Sequence, residues 1–235
     1  MMAKAGGRNG PSSSVRLILD DDRRATYIPI GMEQTLAPPP PKGRPREFCT
    51  DAALAAALRV FWKNGYESAS MAELTAAMGI TKPSLYAAFG NKEQLFHKAL
   101  DLYEQEKLAY TKSALSAPTA RGVAERLLRG ALEMQMNSGD PKGCLAIMSV
   151  VSCGAEAESI RNDVIERRAS SGAALVARFQ EAKDAGEFPD GLEPQALVQF
   201  LYAIMQGLAV QAGAGASCAD LTRVVETSLA VWPTK

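Results

Sequence analysis

Residues 68–96, SASMAELTAAMGITKPSLYAAFGNKEQLF, carry three helix starts and a glycine-marked turn in quick succession. Such spacing leaves the chain few options. It favours two short helices held nearly perpendicular by a tight turn, an arrangement that can push one helix into the major groove of DNA. Ser70 with Glu73 three residues on is a capping box, in which the hydroxyl accepts a backbone N–H and the carboxylate reaches back. Leu74 and Met78 then share an inner face, and Gly79 supplies the positive φ that stops a helix. Ile80 plugs the turn, and Thr81 is the second cap. Pro83 falls in the first turn of the next helix, 82–89, where its missing N–H costs little. Gly90 ends that helix, and Asn91 with Gln94 caps a third that begins at Lys92.

Within 82–89, Leu85 and Phe89 sit four apart and pack inward, which leaves Lys82, Ser84, Tyr86 and Ala87 on or near the outer face. Lys92 and the free N–H groups of its helix start suit a phosphate. Two helices joined by a short turn also occur in proteins that never touch DNA, so the context decides. Upstream, 50–64 reads as a helix with Ala53, Leu54, Ala57, Leu58, Phe61 and Trp62 at helical spacing, closed by Gly65. Three helices around one small core make a compact DNA-binding unit.

Gly65-Tyr66, Ser70-Met71-Ala72-Glu73-Leu74, Gly79-Ile80-Thr81-Lys82, Ser84-Leu85-Tyr86 and Phe89-Gly90-Asn91-Lys92-Glu93-Gln94-Leu95-Phe96 together resemble the N-terminal signature of the TetR family of transcriptional regulators. The match runs over about residues 43–100. The resemblance implies an all-α homodimer: a three-helix helix-turn-helix domain, and a larger C-terminal helical domain that binds an effector and alters the separation of two DNA-reading heads. Carried over position by position, it places Thr81, Lys82 and Ser84 near bases or phosphates, Tyr86 against a phosphate, Lys92 on the backbone, and Ser70 as a cap beside a phosphate. Ala87-Ala88 departs from the pattern, since many members carry larger polar or aromatic residues there. Base reading is then left to Lys82, methyl contacts and DNA shape.

The chain has a formal net charge of zero, but the charge is unevenly placed. Residues 40–100 hold eight bases against five acids, a net +3, whereas 101–235 hold thirteen against seventeen, a net −4. The basic part is the expected DNA head. Arg44 and Arg46, in Lys42-Gly43-Arg44-Pro45-Arg46, form a candidate arm for a narrow minor groove, or else a solvated linker after the tetraproline at 38–41.

Residues 1–41 are rich in Gly, Ser and Pro, without sustained periodicity, and read as a disordered extension. Two apolar runs, 15–19 and 27–30, are short enough only to pair or dock, not to span a membrane. Met32 offers an alternative translation start, in which case 1–31 is not natively made. The head is assigned to 42–100 and an effector and dimerisation domain to 101–235.

Apolar periodicity in 101–235 is helical almost throughout. The helix from Lys92 is expected to run to about Tyr110 as a lever. Further helices follow at 121–136, 144–152, 156–185, 194–212 and 219–232. The helix at 194–212 has more apolar surface than one stripe requires, and the resemblance makes the last two helices a four-helix dimer interface; ordinary packing within the chain is the alternative. An effector pocket would draw on Met134, Met136, Leu145, Met148, Phe179, Phe200, Tyr202 and Met205, where flexible methionines suit a small apolar or aromatic ligand, although such residues at helical spacing also simply fill a core.

Four cysteines without a CxxC pair, and a single histidine, argue against a zinc or haem site, and no cofactor is expected. With no signal sequence the expected compartment is the cytoplasm. Cys144, at a helix start beside Lys142, is a candidate reactive thiol or a small buried residue. Enzymatic function lacks support: there is no phosphate loop or nucleophile elbow, and His97 has no evident acid partner. The expected function is therefore a ligand-responsive regulator, a repressor that binds a palindromic double-stranded operator as a dimer and is released by its effector. The alternatives are a thiol-sensing regulator that uses Cys144 and a DNA-binding protein without effector.

Overall fold

The computed structural model describes residues 15–19, 25–29, 48–151 and 157–234. The chain divides into two compact units, Met1–Arg46 and Glu47–Lys235. In the first, β1 (Val15–Leu19) and β2 (Ala25–Pro29) pair antiparallel, with Leu17 opposite Tyr27. Two short runs in a stretch expected to carry little stable structure thus find each other, satisfying one another's backbone groups. Arg44, Arg46, Met32 and the tetraproline lie outside the described residues.

The second unit is all-α among the described residues, with ten helices. The first four are α1 (Thr50–Ser68), α2 (Met71–Met78), α3 (Lys82–Phe89) and α4 (Lys92–Glu106). Gly65 breaks the helical path of α1 with φ 77° and ψ 173°, where glycine alone is unstrained. Here α4 is shorter than expected. It ends at Glu106 rather than near Tyr110, and α5 (Ala109–Ala114) follows after a break at Lys107 and Leu108. The cause is long-range: Lys107 Nζ reaches the Asp140 carboxylate at 2.7 Å, and the N–H of Leu108 bonds back to Tyr103. The remaining helices are α6 (Ala120–Met136), α7 (Leu145–Val151), α8 (Glu158–Asp184), α9 (Pro194–Gly213) and α10 (Cys218–Ala230).

Two apolar cores result. One joins Phe61, Trp62, Leu74, Leu85, Phe89, Leu95, Phe96 and Tyr103 of α1–α4, and also takes in Leu145 of α7, Ala157, and Ile160 and Val164 of α8. The other joins α6, α9, α10 and the second half of α8 around Leu128, Phe179, Leu201, Val225 and Trp232. The apolar stripe of α10, Leu221, Val225, Leu229 and Trp232, is therefore used within the chain. By contrast α9, long and apolar enough by itself to cross a membrane, leaves Phe200 and Val210 exposed on its outer side while Leu197, Leu201 and Leu208 enter the core.

Candidate nucleic-acid interface

Local chemistry builds the helix-turn-helix as the sequence predicts. The Ser70 hydroxyl accepts the Glu73 N–H at 3.1 Å, and the Glu73 carboxylate accepts the Ser70 N–H at 3.0 Å and its hydroxyl at 2.9 Å. These bonds, the backbone N–H first, hold the Glu73 carboxyl below its usual pKa, with Lys63 adding a smaller attraction. Gly79, at φ 66°, closes α2, and its N–H and that of Ile80 turn back onto the last carbonyls. Thr81 caps α3, its hydroxyl accepting the Ser84 N–H at 3.3 Å and lying 2.9 Å from the Ser84 hydroxyl. Asn91 and Gln94 form a second reciprocal capping box at the start of α4.

On α3, Leu85 and Phe89 are buried, and Lys82, Tyr86, Ala87 and Ala88 are exposed, Tyr86 by 47%. An exposed tyrosine of this size at the centre of a short helix has no packing role to explain it. The Lys82 ammonium lies 5.9 Å from the centre of the Tyr86 ring, so one turn of α3 presents a cation and a phenol together. Thr81 and Ser84 stand at the start of the same helix with their hydroxyls already paired. Lys92 is placed at the junction of α1 and α4: its ammonium donates to the Glu67 carbonyl at 3.1 Å and sits 4.7 Å over the Tyr66 ring. This second attachment of Lys92 is not among the roles expected from the sequence, where Gly65-Tyr66 at the end of α1 is its available signal.

The other candidate residues are dispersed. Leu145 lies in the core shared with α1–α4, and Phe179 is buried against Phe188 and Trp232. Phe200, Met136 and Met148 are exposed, and Met205 is half-buried against the second core. Met134 lies 3.8 Å from the Tyr103 hydroxyl. The predicted pocket residues thus do not line one cavity. One groove, of about 430 Å³, lies between α8 and α9, beside Arg168, Val176, Val198 and Tyr202, and another, of about 540 Å³, between α5 and α6, beside Tyr110 and Gly130.

Cys144 is half-buried, and its sulfur accepts the Tyr103 hydroxyl at 3.5 Å. Burial, and next the neighbouring Cys144, push that hydroxyl well above the usual tyrosine pKa. Lys142 does not face the thiol as expected; its ammonium donates to the carbonyls of Gln135 and Asn137 and so closes the end of α6. Cys153 lies outside the described residues. His97 also departs from expectation, because it has acid partners. Its Nδ1 is 2.8 Å from Asp163, Nε2 is 3.8 Å from Glu93, and Arg167 alongside bridges Asp163, Asp101 and Glu104. This set fastens α4 to α8 and holds no nucleophile.

Comparison with known proteins agrees with this geometry. Residues 53–99 match the model of bacterial regulatory proteins of the tetR family, and 124–227 match the tetracyclin repressor-like C-terminal domain. Over 195 residues, 82% of this chain and 92% of that protein, the sequence is 34% identical to the HTH-type transcriptional repressor ComR of Escherichia coli K12. The chain belongs to the TetR family. The HTH-type transcriptional repressor BdcR of the same organism is 29% identical over 76% of this chain and 86% of its own length. Among solved structures, a cysteine mutant of the TetR family regulator CifR complexed with 26-bp double-strand operator DNA is 37% identical, with a TM-score of 0.75 over 81% of this chain and all of that one. The chain is accordingly a DNA-binding transcriptional regulator and not an enzyme, and the matched N-terminal segment spans α2 and α3.

Proposed function

We propose that this protein is a cytoplasmic, ligand-responsive repressor that binds a palindromic operator as a homodimer, with the DNA head at 42–100 and the effector and dimerisation domain at 101–235. The observation that carries the reading is the division of α3, whose apolar residues are used on the core while Lys82, Tyr86, Ala87 and Ala88 face outward. In a two-fold dimer the two copies of α3 meet successive major-groove faces about 34 to 36 Å apart. Lys82, with the Thr81 and Ser84 hydroxyls, reads bases, and Ala87 and Ala88 offer methyl contacts. Tyr86, Lys92 and Ser70 meet phosphates, and Arg44 and Arg46 reach the minor groove.

The exposed apolar face of α9, with Phe200 and Val210, supports the dimer. The charge asymmetry supports a basic head on an acidic body. A small apolar or aromatic effector acting on the body would shift α4 and spoil the spacing of the heads. Selection of bound sites from a random DNA pool, followed by gel shifts on the gene's own upstream region, tests the reading. A palindrome with a fixed half-site separation is expected, and failure to bind any palindromic site refutes it.

A second reading makes Cys144 the sensor. It is favoured by the partial exposure of the residue and the bond its sulfur accepts from Tyr103. Mass spectrometry of native protein after mild alkylation or peroxide tests it: a modified Cys144 with loss of operator binding supports thiol sensing, and an unreacted Cys144 assigns the residue to packing.

A further inference from the structure

The two apolar cores are bridged by the continuous helix α8, and on the side of α6 the seam between them is a hydrogen-bonded turn. Leu145, Ala157, Ile160 and Val164 belong to the core of the DNA head, so α7 and the first turns of α8 travel with α1–α4. The Arg167 and His97 contacts between α4 and α8 therefore lie within the head assembly rather than across the seam. The helix α6, in contrast, gives Val123, Leu127, Leu128 and Ala131 to the core of the body. Between α6 and α7 run residues 137–144, and both sides grip this turn.

The grip is specific. Gln135, in the last turn of α6 and buried, clamps Gly143 with both ends of its amide: Nε2 donates to the Gly143 carbonyl at 3.1 Å and Oε1 accepts the Gly143 N–H at 2.9 Å. The same carbonyl accepts the indole N–H of Trp62, a wholly buried residue of α1, at 3.2 Å. Gly143 reaches this geometry at φ 95°, in the region that favours glycine. Three residues earlier, the Asp140 carboxylate, only 6% exposed, takes Lys107 from the end of α4 at 2.7 Å and Asn137 at 2.9 Å, with Arg59 of α1 at 3.9 Å. Arg59 and Trp62, three apart, come from one face of α1.

We infer that Trp62 and Gln135, sharing the carbonyl of Gly143, form the latch that sets the angle of the DNA head on the body, which makes Trp62 a positioning residue for operator binding. Apolar contact is tolerant of small rotations, whereas two buried N–H donors converging on one carbonyl hold distance and angle together. The latch sits one residue before Cys144 and beside Tyr103, whose ring packs edge-on against Trp62 at 4.8 Å, so a change at that cluster acts on it directly. In a dimer the angle of each head fixes the separation of the two recognition helices, so the inference rests on the dimeric operator reading proposed above.

The test compares wild type, Trp62→Phe and Gln135→Met on the operator that the wild-type protein selects from random DNA, and on copies with the half-sites moved one base pair closer or farther. Trp62→Phe keeps an aromatic ring on Tyr103 and removes the N–H; Gln135→Met keeps length and removes both amide bonds. Loss of one or two buried hydrogen bonds is expected to reduce the preference for the native spacing by about three- to tenfold. A role confined to stability weakens all spacings equally, and an unchanged preference in folded variants overturns the latch. If one variant fails to fold, the other decides, since each breaks a different bond to the same carbonyl. A wild-type protein that selects no site, or one without fixed spacing, overturns the dimeric reading and the latch with it.

Discussion

Gly90 is the position at which one methyl group should do most damage to the DNA head. It joins α3 to α4 at φ 79° and ψ −140°, outside the regions open to L residues, and an alanine held there is strained by roughly 1–3 kcal/mol. There is also no room: an added Cβ would fall onto the side-chain amide of Gln94, whose Oε1 accepts the Asn91 N–H and completes the cap of α4. Gly90→Ala therefore displaces Gln94 as well, at a further cost of about 1 kcal/mol for the lost cap bond. The total, about 2–4 kcal/mol, lowers Tm by roughly 5–15 °C for a chain of this size. Calorimetry on the single and double variants separates the two terms. Gln94→Ala should cost about 1 kcal/mol in the wild type and close to nothing in Gly90→Ala, because the cap is already gone. Gly213→Ala, in α9 with open space around it, should melt with the wild type. A Gly90→Ala protein of unchanged Tm, or strict additivity in the double variant, would refute this account of the turn.

Tyr86→Phe and Lys92→Ala should weaken binding about uniformly across operator sequences, and Lys92→Ala should lower the slope of log affinity against log salt by about one, read by gel shift at several salt concentrations. Lys92→Ala, but not Tyr86→Phe, should also lower Tm, since Lys92, unlike Tyr86, ties α4 to the end of α1. The capping carboxylate of Glu73 is held below its ordinary value of 4.5, so its contribution is complete above about that pH and is lost as pH falls through the lowered value. The melting advantage of wild type over Glu73→Gln should accordingly shrink between neutral pH and pH 3, and a constant difference would count against the cap. Phe200→Asp on the exposed face of α9 should shift the protein from dimer to monomer in sedimentation while leaving its helix content intact.

The DNA head was legible because its boundaries are written locally. Ser70 with Glu73, Thr81, Asn91 with Gln94, and the glycines at 79 and 90 each act within four residues of themselves, and α2 and α3 end where their caps require; Gly65 kinks α1, which resumes and ends at Ser68 rather than stopping at 64. What escaped depends on partners far away in sequence. The break after α4 follows from Lys107 meeting Asp140, 33 residues on, and the nearer of the two acid partners of His97 is Asp163, 66 residues on. Leu145 is expected among the lining residues of an effector pocket, yet it fills the core of the head, together with residues of α1–α4 and α8. Lys142 looked like an activator of Cys144 by adjacency, but a flexible cation beside the last carbonyls of a helix turns to them first.

The two alanines of the recognition helix have a bearing on how such a regulator changes its target over time. Ala87 and Ala88 are exposed and touch neither core, so replacing either with a polar side chain disturbs no packing and only modestly affects helix propensity. Most positions able to alter what a protein recognises are tied to its folding, and a new preference there comes with a loss of stability. Under the base reading proposed above the two are uncoupled: single substitutions at 87 or 88 would alter operator preference while the capped scaffold around them stays as it is.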